Sequence, residues 1–522
     1  MAHVLRPGWN CDPLVKASRF ALLVDGDAYF RALADCVSRA ERTVALVGWD
    51  LDSRMRLEPA KAAAAGPSLQ EFLCATVEAA PQLNVYILTW SFPLLFANER
   101  EPRLVMGQNP FNHPRLHFEF DSTHPPGASH HQKIVVIDDT IAFAGGMDLA
   151  GGRWDTPEHC ANDSRRAGKD GRPYPPTHDV QALVDGEPAR RLAAIVRDRW
   201  HRATGTSIPR HASNAEIWPD GVQPDLERVY IGISRTDLNG DGGESRYEIE
   251  RLHLDLIDAA HRFMYIEEQY LTSDGIVTAL CRRLEEDDGP EMLLVLPLRN
   301  WGWLEDRTIE VLRFRCIRRL HEADRFRRLR ICYPVVPGLD GEAVQMHSKI
   351  LVIDDRLFRV GSSNMTNRSM RLDSECDLTI EATSAQERHG VARLRNRLLA
   401  EHLGLSVNEV EAFLARTPSL VALVDSRRSE PRSLREFPPE SDTVELLVDE
   451  ELVDPSEPVT PSAAIESLSR SVLLTKWIVP AALACVAITL ALWAIGSTLK
   501  ATLSPATRRG VDGPMRLGPE GD

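Results

Sequence analysis

Two ten-residue stretches of this chain are nearly identical, and this duplication constrains the fold more than any other feature. The first, HHQKIVVIDD, begins at His130, and the second, MHSKILVIDD, begins at Met346. Each contains a histidine, a lysine two places later, an apolar run and two aspartates. Residues two apart on a strand share one face, so the sequence predicts two related units that each present a histidine beside a lysine.

The order of helices and strands around the two stretches is also repeated. Helical spacing in GDAYFRALADCVSRAERT precedes the strand-like VALVGWDLDS, and YEIERLHLDLIDAAHRF likewise precedes MYIEEQYL. A repeated order of elements indicates an internal duplication. We therefore predict an α/β fold of two lobes related by a pseudo-twofold axis, each a mixed β-sheet flanked by helices, with a C-terminal transmembrane helix in addition.

Changes in composition divide the chain into six predicted segments. Proline, glycine and asparagine are frequent between the two repeats, which is typical of a linker. After about Pro418 the chain becomes acidic and rich in proline, which favours a poorly ordered tether. The predicted segments are an N-terminal catalytic lobe (17–206), a linker (207–225), a C-terminal catalytic lobe (226–415), an acidic tether (416–476), a transmembrane helix (477–499) and a short tail (500–522).

The predicted transmembrane helix is the run WIVPAALACVAITLALWAIGSTL, which contains no charged residue. A helix of this length spans roughly 34 Å, and a bilayer has a hydrocarbon core of about 30 Å. The basic residues after the run slightly outnumber those before it, which favours a cytoplasmic tail. Because the N-terminus lacks the pattern of a signal peptide, we nevertheless expect the main body to lie in the cytoplasm.

Charge and cysteine content exclude some classes of protein. The formal net charge of -15 argues against a protein that binds duplex nucleic acid. The nine cysteines include no CxxC pair, so neither a cysteine zinc cage nor a disulfide framework is expected, and a reducing compartment is the simpler interpretation.

The repeated pattern extends beyond the lysine to His-x-Lys-x4-Asp-x6-Gly-[Gly/Ser]-x-[Asp/Asn]. It comprises His131, Lys133, Asp138, Gly145, Gly146 and Asp148 in the first half, and His347, Lys349, Asp354, Gly361, Ser362 and Asn364 in the second. Two imidazoles and two amines around one point suit a tetrahedral phosphate. The lysines would neutralise its oxygens while one histidine attacks phosphorus and the other protonates the leaving oxygen. Since the lysines supply the positive charge, we expect no metal and no cofactor.

These duplicated motifs resemble the HxKxxxxD motifs of the phospholipase D superfamily, and the resemblance covers about residues 17–415. GGRWDTPEH is similar to the GRWD stretch of members that cleave phospholipids. MYIEEQYL resembles their YIENQ strand, and SNMTNRSMRLDSECDL resembles their GSxNxNxRS…DSE segment. The chain looks most like bacterial phospholipase D-like or cardiolipin synthase-related forms associated with a membrane. Together with the predicted span at 477–499, this resemblance leads us to expect an anchor in the bacterial inner membrane.

The resemblance assigns roles to residues that match the motifs. It implies that His131 is the nucleophile and His347 the general acid, with Lys133 and Lys349 on the phosphate. Asp179 in THDV is expected to orient His131, and Glu375 in DSE to orient His347. Asp138 and Asp354 are expected to stabilise local structure. Asp148 would add negative charge beside a phosphate, so we expect it to turn to a neighbour such as Arg153. The remaining predicted pocket residues are Gly145, Gly146, Ser362, Asn364, Arg153 and Trp154.

The function implied is that of a phospholipase D-type phosphodiesterase or phosphatidyltransferase. It would act on glycerophospholipids through a covalent phosphohistidine. A cardiolipin synthase-like transferase is the alternative, and a nuclease or an inactive lipid-binding scaffold is a weaker one. The expected partners are a phospholipid substrate and the bilayer, with no nucleic acid, and the sequence does not indicate an oligomeric state.

Other residues have both a functional and a structural interpretation. Trp154 fits equally a core position and a pocket wall. His130 is expected to face away from the site, and the histidines that precede it (His113, His117 and His124) are expected at the surface or along a headgroup pocket. DLNGDGGESRYE has the spacing of a calcium-binding loop at Asp237, Asn239, Asp241, Gly242 and Glu248. A strand-like run precedes it, however, so a glycine-rich loop that opens the next helix is the simpler interpretation.

Overall fold

A computed structural model describes most of the 522-residue chain. The described residues are 3–59, 66–92, 100–168, 171–211, 216–238, 244–299, 305–339, 342–438 and 453–458. Their elements are, in chain order, β1 (Leu14–Lys16), β2 (Arg19–Val24), α1 (Asp25–Ser38), β3 (Thr43–Gly48), α2 (Leu69–Ala79), β4 (Asn84–Trp90), α3 (Pro102–Val105), β5 (Leu116–Asp121), β6 (Ile134–Ile137), β7 (Ile141–Gly145), β8 (Thr177–His178), β9 (Val180–Asp185), α4 (Glu187–Thr204), β10 (Leu226–Glu227), β11 (Tyr230–Asp237), β12 (Arg246–Tyr247), α5 (Glu248–Asp258), β13 (Phe263–Glu267), α6 (Asp274–Glu285), β14 (Glu291–Val295), α7 (Glu305–Ala323), β15 (Leu329–Val335), β16 (Gln345–Met346), β17 (Ile350–Ile353), β18 (Leu357–Gly361), α8 (Asn367–Arg371), β19 (Glu375–Glu381), α9 (Ala385–Leu403), α10 (Val407–Arg416), α11 (Leu420–Ser426) and β20 (Ser433–Glu436).

Two mixed β-sheets carry the same central topology. One sheet has the order β10-β2-β9-β7-β6-β3-β4-β5, and the other has the order β1-β11-β19-β18-β17-β13-β14-β15-β20, with β12 paired to β11. In each, two parallel pairings follow a run of antiparallel ones. The repeated order confirms the predicted mixed α/β architecture, in which both halves of the chain fold in the same way.

The two sheets pack against each other through their inner faces. Side chains alternate along a strand, so in β3 Ala45 and Val47 enter the central core while Val44 and Leu46 face the helices. Phe20 of the first sheet meets Phe358 of the second edge to face, with ring centroids 6.0 Å apart. The central core thus holds the two lobes together, and separate outer cores bury the helices on each side.

The paired aspartates of the two repeats form the turns after β6 and β17. Asp138 and Asp139 have φ of 48° and 56°, and Asp354 and Asp355 have φ of 53° and 54°. Aspartate tolerates this left-handed region better than most residues, which explains why it is suited to such turns. Both turns reverse the chain into the next strand, so each repeat is a β-hairpin.

Short pairings between the lobes bring the repeats next to each other. β8 of the first lobe pairs in parallel with β16 of the second, and the backbone N–H of His347 donates to the carbonyl of His178 at 2.8 Å. Symmetrically, the N–H of His131 donates to the carbonyl of Ser374 at 2.9 Å. Each repeat histidine is therefore attached to a segment of the opposite lobe.

Strands are also exchanged at the edges of the sheets. β1, near the N-terminus, pairs with β11 of the second sheet. After position 415, where the C-terminal lobe was expected to end, α11 follows and β20 pairs with β15. The domain boundaries given above stay predictions.

The prediction of a C-terminal transmembrane helix is corrected by the structure. Among the described residues, none of the helices is long and apolar enough to cross a bilayer. The two helices of 19 residues, α7 and α9, both carry charged side chains along their length, and burying such charges in hydrocarbon is costly. The run 477–499 itself lies outside the described residues. The fold of the described residues therefore includes no such anchor, and the inner-membrane location that depended on it is withdrawn.

Candidate active site

The two repeat histidines lie just before β6 and β17, where the lobes meet. The side chain of His131 is 15% exposed and that of His347 is 11% exposed. The edge of the Trp49 ring faces His131, with centroids 6.3 Å apart. Both imidazoles are therefore largely shielded from water, although a small part of each ring remains accessible.

Each imidazole is held by a carboxylate from the other lobe. Nδ1 of His131 lies 2.9 Å from both carboxylate oxygens of Glu375. Nδ1 of His347 lies 2.7 Å from Oδ2 of Asp179. A carboxylate accepts the Nδ1 proton, which leaves the lone pair on Nε2 for chemistry.

This pairing is the reverse of the one predicted, so the assignment of Asp179 to His131 and of Glu375 to His347 is wrong. Proximity in the sequence placed each carboxylate with the histidine of its own lobe. The backbone contacts of His131 with Ser374 and of His347 with His178 instead deliver each histidine to the opposite lobe's carboxylate. The symmetry of the duplicated fold exchanges the two partners.

Further side chains hold the carboxylates in place. Glu375 accepts hydrogen bonds from the hydroxyls of Ser362 at 2.5 Å and Ser369 at 2.7 Å. A Cβ on Gly146 would lie 2.2 Å from Oδ1 of Asp179. Ser362 thus supports Glu375, and Gly146 makes room for Asp179. A Cβ on Gly145 would meet the carbonyl of Val180 at 2.6 Å, so that glycine permits close packing of β7 on β9.

The two lysines lie beside their histidines and are almost completely buried. Nζ of Lys133 donates to the carbonyl of His131 at 3.1 Å, and Nζ of Lys349 donates to the carbonyl of His347 at 2.5 Å. Lys349 also donates to Oε1 of Gln269 at 2.8 Å. Two positive charges are thereby fixed next to the two imidazoles, as binding of a phosphate anion requires.

Asp148 contacts the first of these lysines. Its Oδ2 lies 3.3 Å from Nζ of Lys133, while its Oδ1 accepts the N–H groups of Trp49 and Asp50. We expected Asp148 to turn to a neighbour such as Arg153. The structure shows Asp148 in contact with Lys133, and Arg153 also acts on it through its charge. Together these charges hold the pKa of Asp148 below its ordinary value despite burial.

Burial and neighbouring charges shift the pKa values of the site strongly. Burial, then Lys133 and Lys349, lower the pKa of His131 well below its ordinary value. Burial, then Lys349 and Arg153, do the same for His347. Both imidazoles are therefore neutral in the protein without substrate. Burial raises the pKa of Asp179 to about 7 and lowers that of Lys349 to about 8.

The other predicted pocket residues differ in their surroundings. Asn364 is buried, and its Oδ1 accepts no hydrogen bond from any described residue, which suits a group that turns to substrate. Arg153 influences the pKa values of Asp179 and His347 through its charge. Trp154 belongs to the outer core of the first lobe, where its indole N–H donates to Asp27 at 3.3 Å. The structure thus places Trp154 in the core, and its role as a pocket wall stays a prediction.

Asp138 and Asp354 stabilise the turns rather than contact the site. The carboxylate of Asp138 accepts the N–H groups of Glu41, Arg42 and Thr43. The carboxylate of Asp354 accepts the N–H groups of three successive residues at the equivalent place in the second lobe, namely His261, Arg262 and Phe263. Each aspartate joins its hairpin to the start of the neighbouring strand.

The structure adds site residues that sequence reasoning missed. Trp49 and Trp90 stack with centroids 5.7 Å apart beside His131. Glu268 is buried near Lys349, and burial raises its pKa to about 8. Glu268 and Gln269 directly follow β13 and belong to the stretch MYIEEQYL, which resembles the family's YIENQ strand, so that resemblance could have indicated them. The two tryptophans carried no comparable signal.

His130 and the three histidines that precede it do not enter the two-histidine centre. His130 is fully buried, with Nδ1 3.5 Å from Oδ2 of Asp121. His124 accepts the indole N–H of Trp90 at 3.0 Å, and His117 stacks on Tyr86. His113, also half-buried, accepts the N–H of Arg115.

The calcium-loop residues that the structure describes bind arginines. Asp237 pairs with Arg202 at 2.8 Å, and Glu248 pairs with Arg246 at 3.0 Å. Asn239, Asp241 and Gly242 lie outside the described residues. Calcium binding stays a prediction.

The geometry defines a class of protein: a duplicated α/β fold with one histidine–lysine pair from each lobe at a shared centre. Two protein-family models match the chain, "Cardiolipin synthase, PLD-like domain" over residues 253–390 and "Phospholipase D" over residues 121–217. Each model covers one of the two repeats. The chain belongs to the phospholipase D superfamily.

The similar curated proteins include phospholipases D and cardiolipin synthases. Phospholipase D A of Dictyostelium discoideum is 26% identical over 466 residues, covering 74% of this chain and 35% of that protein. A cardiolipin synthase of Alkalihalophilus pseudofirmus is 25% identical over 273 residues, covering 50% of this chain and 45% of the synthase. The chain thus spans less than half the length of either relative.

A solved structure shares the fold. Phosphatidylserine synthase of Haemophilus influenzae superposes with a TM-score of 0.52 at 13% identity, covering 80% of this chain and 97% of the synthase. At this identity the likeness concerns the fold alone.

Proposed function

We propose that this protein is a phospholipase D-type phosphodiesterase and phosphatidyltransferase that acts on glycerophospholipids through a phosphohistidine. The observation that carries the proposal is the crossed arrangement of His131 with Glu375 and His347 with Asp179. It gives two neutral imidazoles, each oriented by a carboxylate and each with a buried lysine beside it. One group can attack while the other transfers a proton, as displacement at phosphorus requires.

In the first step, Nε2 of His131 attacks phosphorus and the bond from phosphorus to the leaving oxygen breaks. His347 gives a proton from Nε2 to that oxygen, so the headgroup alcohol leaves neutral. Binding of the anionic diester supplies the negative charge that offsets Lys349 and Lys133, which raises the pKa of His347 and allows it to hold this proton. The lysines stabilise the phosphate oxygens as charge shifts onto them.

In the second step, water or an alcohol attacks the phosphohistidine. Nε2 of His347 accepts the proton of the attacking hydroxyl, the bond from nitrogen to phosphorus breaks, and His131 returns to its neutral form. Water yields phosphatidic acid, and an alcohol yields a new phosphatidyl ester. Asp179 stabilises the positive imidazole of His347 before it gives up its proton in the first step and after it accepts one in the second.

The choice of a phospholipid rests on the relatives and on the site. The relatives named phospholipase D and cardiolipin synthase supply the substrate class. Beside His131, the half-buried ring of Trp49, which stacks on buried Trp90, offers some aromatic surface, and this suits an amphiphilic substrate better than a small polar ester. A cardiolipin synthase-like transferase is the second candidate, because the family model that matches the second repeat bears that description.

The test uses the purified protein with phosphatidylcholine liposomes and ethanol. We expect wild type to form phosphatidic acid and phosphatidylethanol, and His131→Ala and His347→Ala to form neither. His389→Ala changes an exposed histidine of α9 and serves as the matched control, with wild-type activity expected. Cardiolipin formed only from phosphatidylglycerol liposomes would favour the second candidate. Cleavage of nucleic acid alone, or of no phosphodiester at all, would refute the proposal.

A further inference from the structure

A second cluster of ionisable side chains is buried between the lobes, behind β8. It contains four side chains whose ligand atoms all lie within 4.8 Å of one another: Asp25, His159, His178 and Glu401. Three of these side chains are at most 1% exposed and that of Glu401 is 5% exposed. The mechanism proposed above uses none of them.

The outer nitrogens of the two histidines are already occupied. Nδ1 of His159 lies 2.9 Å from Oδ2 of Asp155, and Nε2 of His178 lies 3.0 Å from Oε2 of Glu267. Asp155 also accepts from Arg166, Thr156 and Thr177, so its position is fixed. Because each outer nitrogen donates its proton to a carboxylate, the inner nitrogen of a neutral imidazole presents a lone pair.

Those lone pairs face two further carboxylates. Nδ1 of His178 lies 2.7 Å from Oε1 of Glu401 and 3.2 Å from Oδ1 of Asp25. Nε2 of His159 lies 3.0 Å from the same oxygen of Glu401 and 3.7 Å from Oδ2 of Asp25. Lone pairs of nitrogen and oxygen repel each other at such distances, so a positive charge is required at the centre of the four groups.

The geometry indicates which positive charge fits. Nδ1 of His178 and both oxygens of Asp25 form no hydrogen bond of acceptable geometry with any described residue. Nε2 of His159 and Oε1 of Glu401 do have hydrogen-bond geometry at 3.0 Å, so a proton accounts for that pair alone. A metal ion accounts for all four groups, because it needs only that their ligand atoms point at one centre. Tetrahedral ligands about 2.0–2.1 Å from zinc lie roughly 3.3 Å apart, close to the separations in this cluster.

One more feature is typical of metal sites, and a second, backbone strain, is found at functional sites in general. Carboxylates that bind the outer nitrogens of ligand histidines fix the ring orientation and raise ligand basicity, as Asp155 and Glu267 do in this cluster. Asp25 adopts a backbone φ of 65°, which is unusual for a residue other than glycine. Its backbone N–H donates to the carbonyl of Asp179 at 2.8 Å, which fixes the strained residue next to the cluster.

We propose that Asp25, His159, His178 and Glu401 form a structural site for one divalent transition-metal ion of the zinc class. Two neutral imidazoles and two carboxylates make a closed set of nitrogen and oxygen ligands, and the ion would be neutralised by the carboxylates. His178 directly precedes Asp179, so the ion would fix the segment that orients His347. The site is separate from the phosphate centre and does not depend on the function proposed above.

The first test is the metal content of the full chain, purified without a polyhistidine tag from cells grown with added zinc. We expect about one zinc per chain by mass spectrometry. X-ray absorption at the zinc edge should show only nitrogen and oxygen neighbours, including imidazole. Treatment with a strong chelator should lower the Tm by roughly 5 °C or more, and added Zn²⁺ should restore it.

Variants assign the ion to this cluster. His159→Gln and Glu401→Gln should each lower the zinc content severalfold, whereas His389→Gln on the surface should keep it. If these variants fail to fold, the zinc-edge absorption spectrum of wild type still shows whether the ion has the nitrogen and oxygen ligands that this cluster would supply. The proposal would be overturned if wild type contained no bound metal and its Tm did not respond to Zn²⁺. The cluster would then be a hydrogen-bond network of protonated histidines and carboxylates. Sulfur neighbours at the zinc edge, or full zinc content in folded variants, would overturn it as well.

Discussion

Glu375 of the second lobe holds His131 of the first through two contacts of 2.9 Å between Nδ1 and the carboxylate oxygens. The reciprocal contact joins Asp179 of the first lobe to His347 of the second at 2.7 Å. Neither lobe can therefore orient its own histidine. The duplicated repeats form one centre because each supplies the histidine that the other lobe's carboxylate positions.

Substitution of the two carboxylates should distinguish the roles of the two histidines. Glu375→Gln and Asp179→Asn can each favour the wrong imidazole tautomer, and we expect kcat to fall by about 10²–10⁴. With a p-nitrophenyl diester, whose leaving group needs no protonation, Asp179→Asn should release p-nitrophenol rapidly and accumulate phosphohistidine. Glu375→Gln should stay slow. A rapid release by Glu375→Gln alone would show that His347 is the nucleophile.

The lysines should contribute mainly to kcat. Lys133→Gln and Lys349→Gln each remove a buried positive charge beside the phosphate, and loss of one such donor costs about 10²–10³ in rate. Lys16→Gln, in exposed β1, is the matched control and should keep wild-type kinetics. Steady-state measurements on a soluble short-chain phospholipid would check this. A change confined to KM in the Lys133 and Lys349 variants would contradict a role in the transition state.

Activity should decline at alkaline pH. Burial lowers the pKa of Lys349 to about 8, and the charges of Asp179 and Glu268 oppose this shift. A lysine is positive below its pKa, so its charge is present at neutral pH and is lost as the pH rises through about 8. We expect kcat/KM to fall above that pH.

Removal of the Glu268 carboxylate should shift the alkaline decline of kcat/KM to lower pH. Glu268→Gln takes away a carboxylate that raises the pKa of Lys349, so the fall in kcat/KM should begin at lower pH. Glu78→Gln, at an exposed position of α2, should leave the profile unchanged. Profiles measured on a soluble substrate would check both. A decline that does not move in Glu268→Gln would assign it to another group.

The repeat aspartates should matter for stability. Asp138→Ala would leave three N–H groups without their acceptor, those of Glu41, Arg42 and Thr43. Of these three residues Thr43 is buried. A buried donor without a partner costs about 1–3 kcal/mol, so the free energy of unfolding should fall by at least that amount. Asp220→Ala, at a position with 93% side-chain exposure, should change it by less than about 0.5 kcal/mol.

Denaturant titration measures these free energies, and the activity of folded Asp138→Ala protein provides a second readout. Activity close to wild type is expected, because the carboxylate contacts backbone groups away from the two histidines. Complete inactivity together with unchanged stability would place Asp138 in the reaction instead.

Local sequence determined the elements and the identity of the reacting groups. Continuous apolar runs around Val136 and Val352 predicted buried strands, the paired aspartates suited the turns, and the repeated histidine and lysine indicated a phosphate site. Such signals depend on neighbours along the chain, which a sequence displays directly. The apolar run at 477–499 predicted a transmembrane helix, but the run lies outside the described residues, and none of the described helices is long and apolar enough to cross a bilayer.

The tertiary structure alone decided which groups meet. Sequence proximity assigned Glu375 to His347, yet the packing of the two sheets brings Glu375 to His131. The same packing collects Asp25, His159, His178 and Glu401 from distant segments into one buried cluster. Contacts between lobes depend on how two separately formed surfaces dock, and no periodicity along the chain encodes that relationship. The sequence thus specified the two histidine–lysine half-sites. The packing of the two lobes against each other decided which carboxylate orients which histidine.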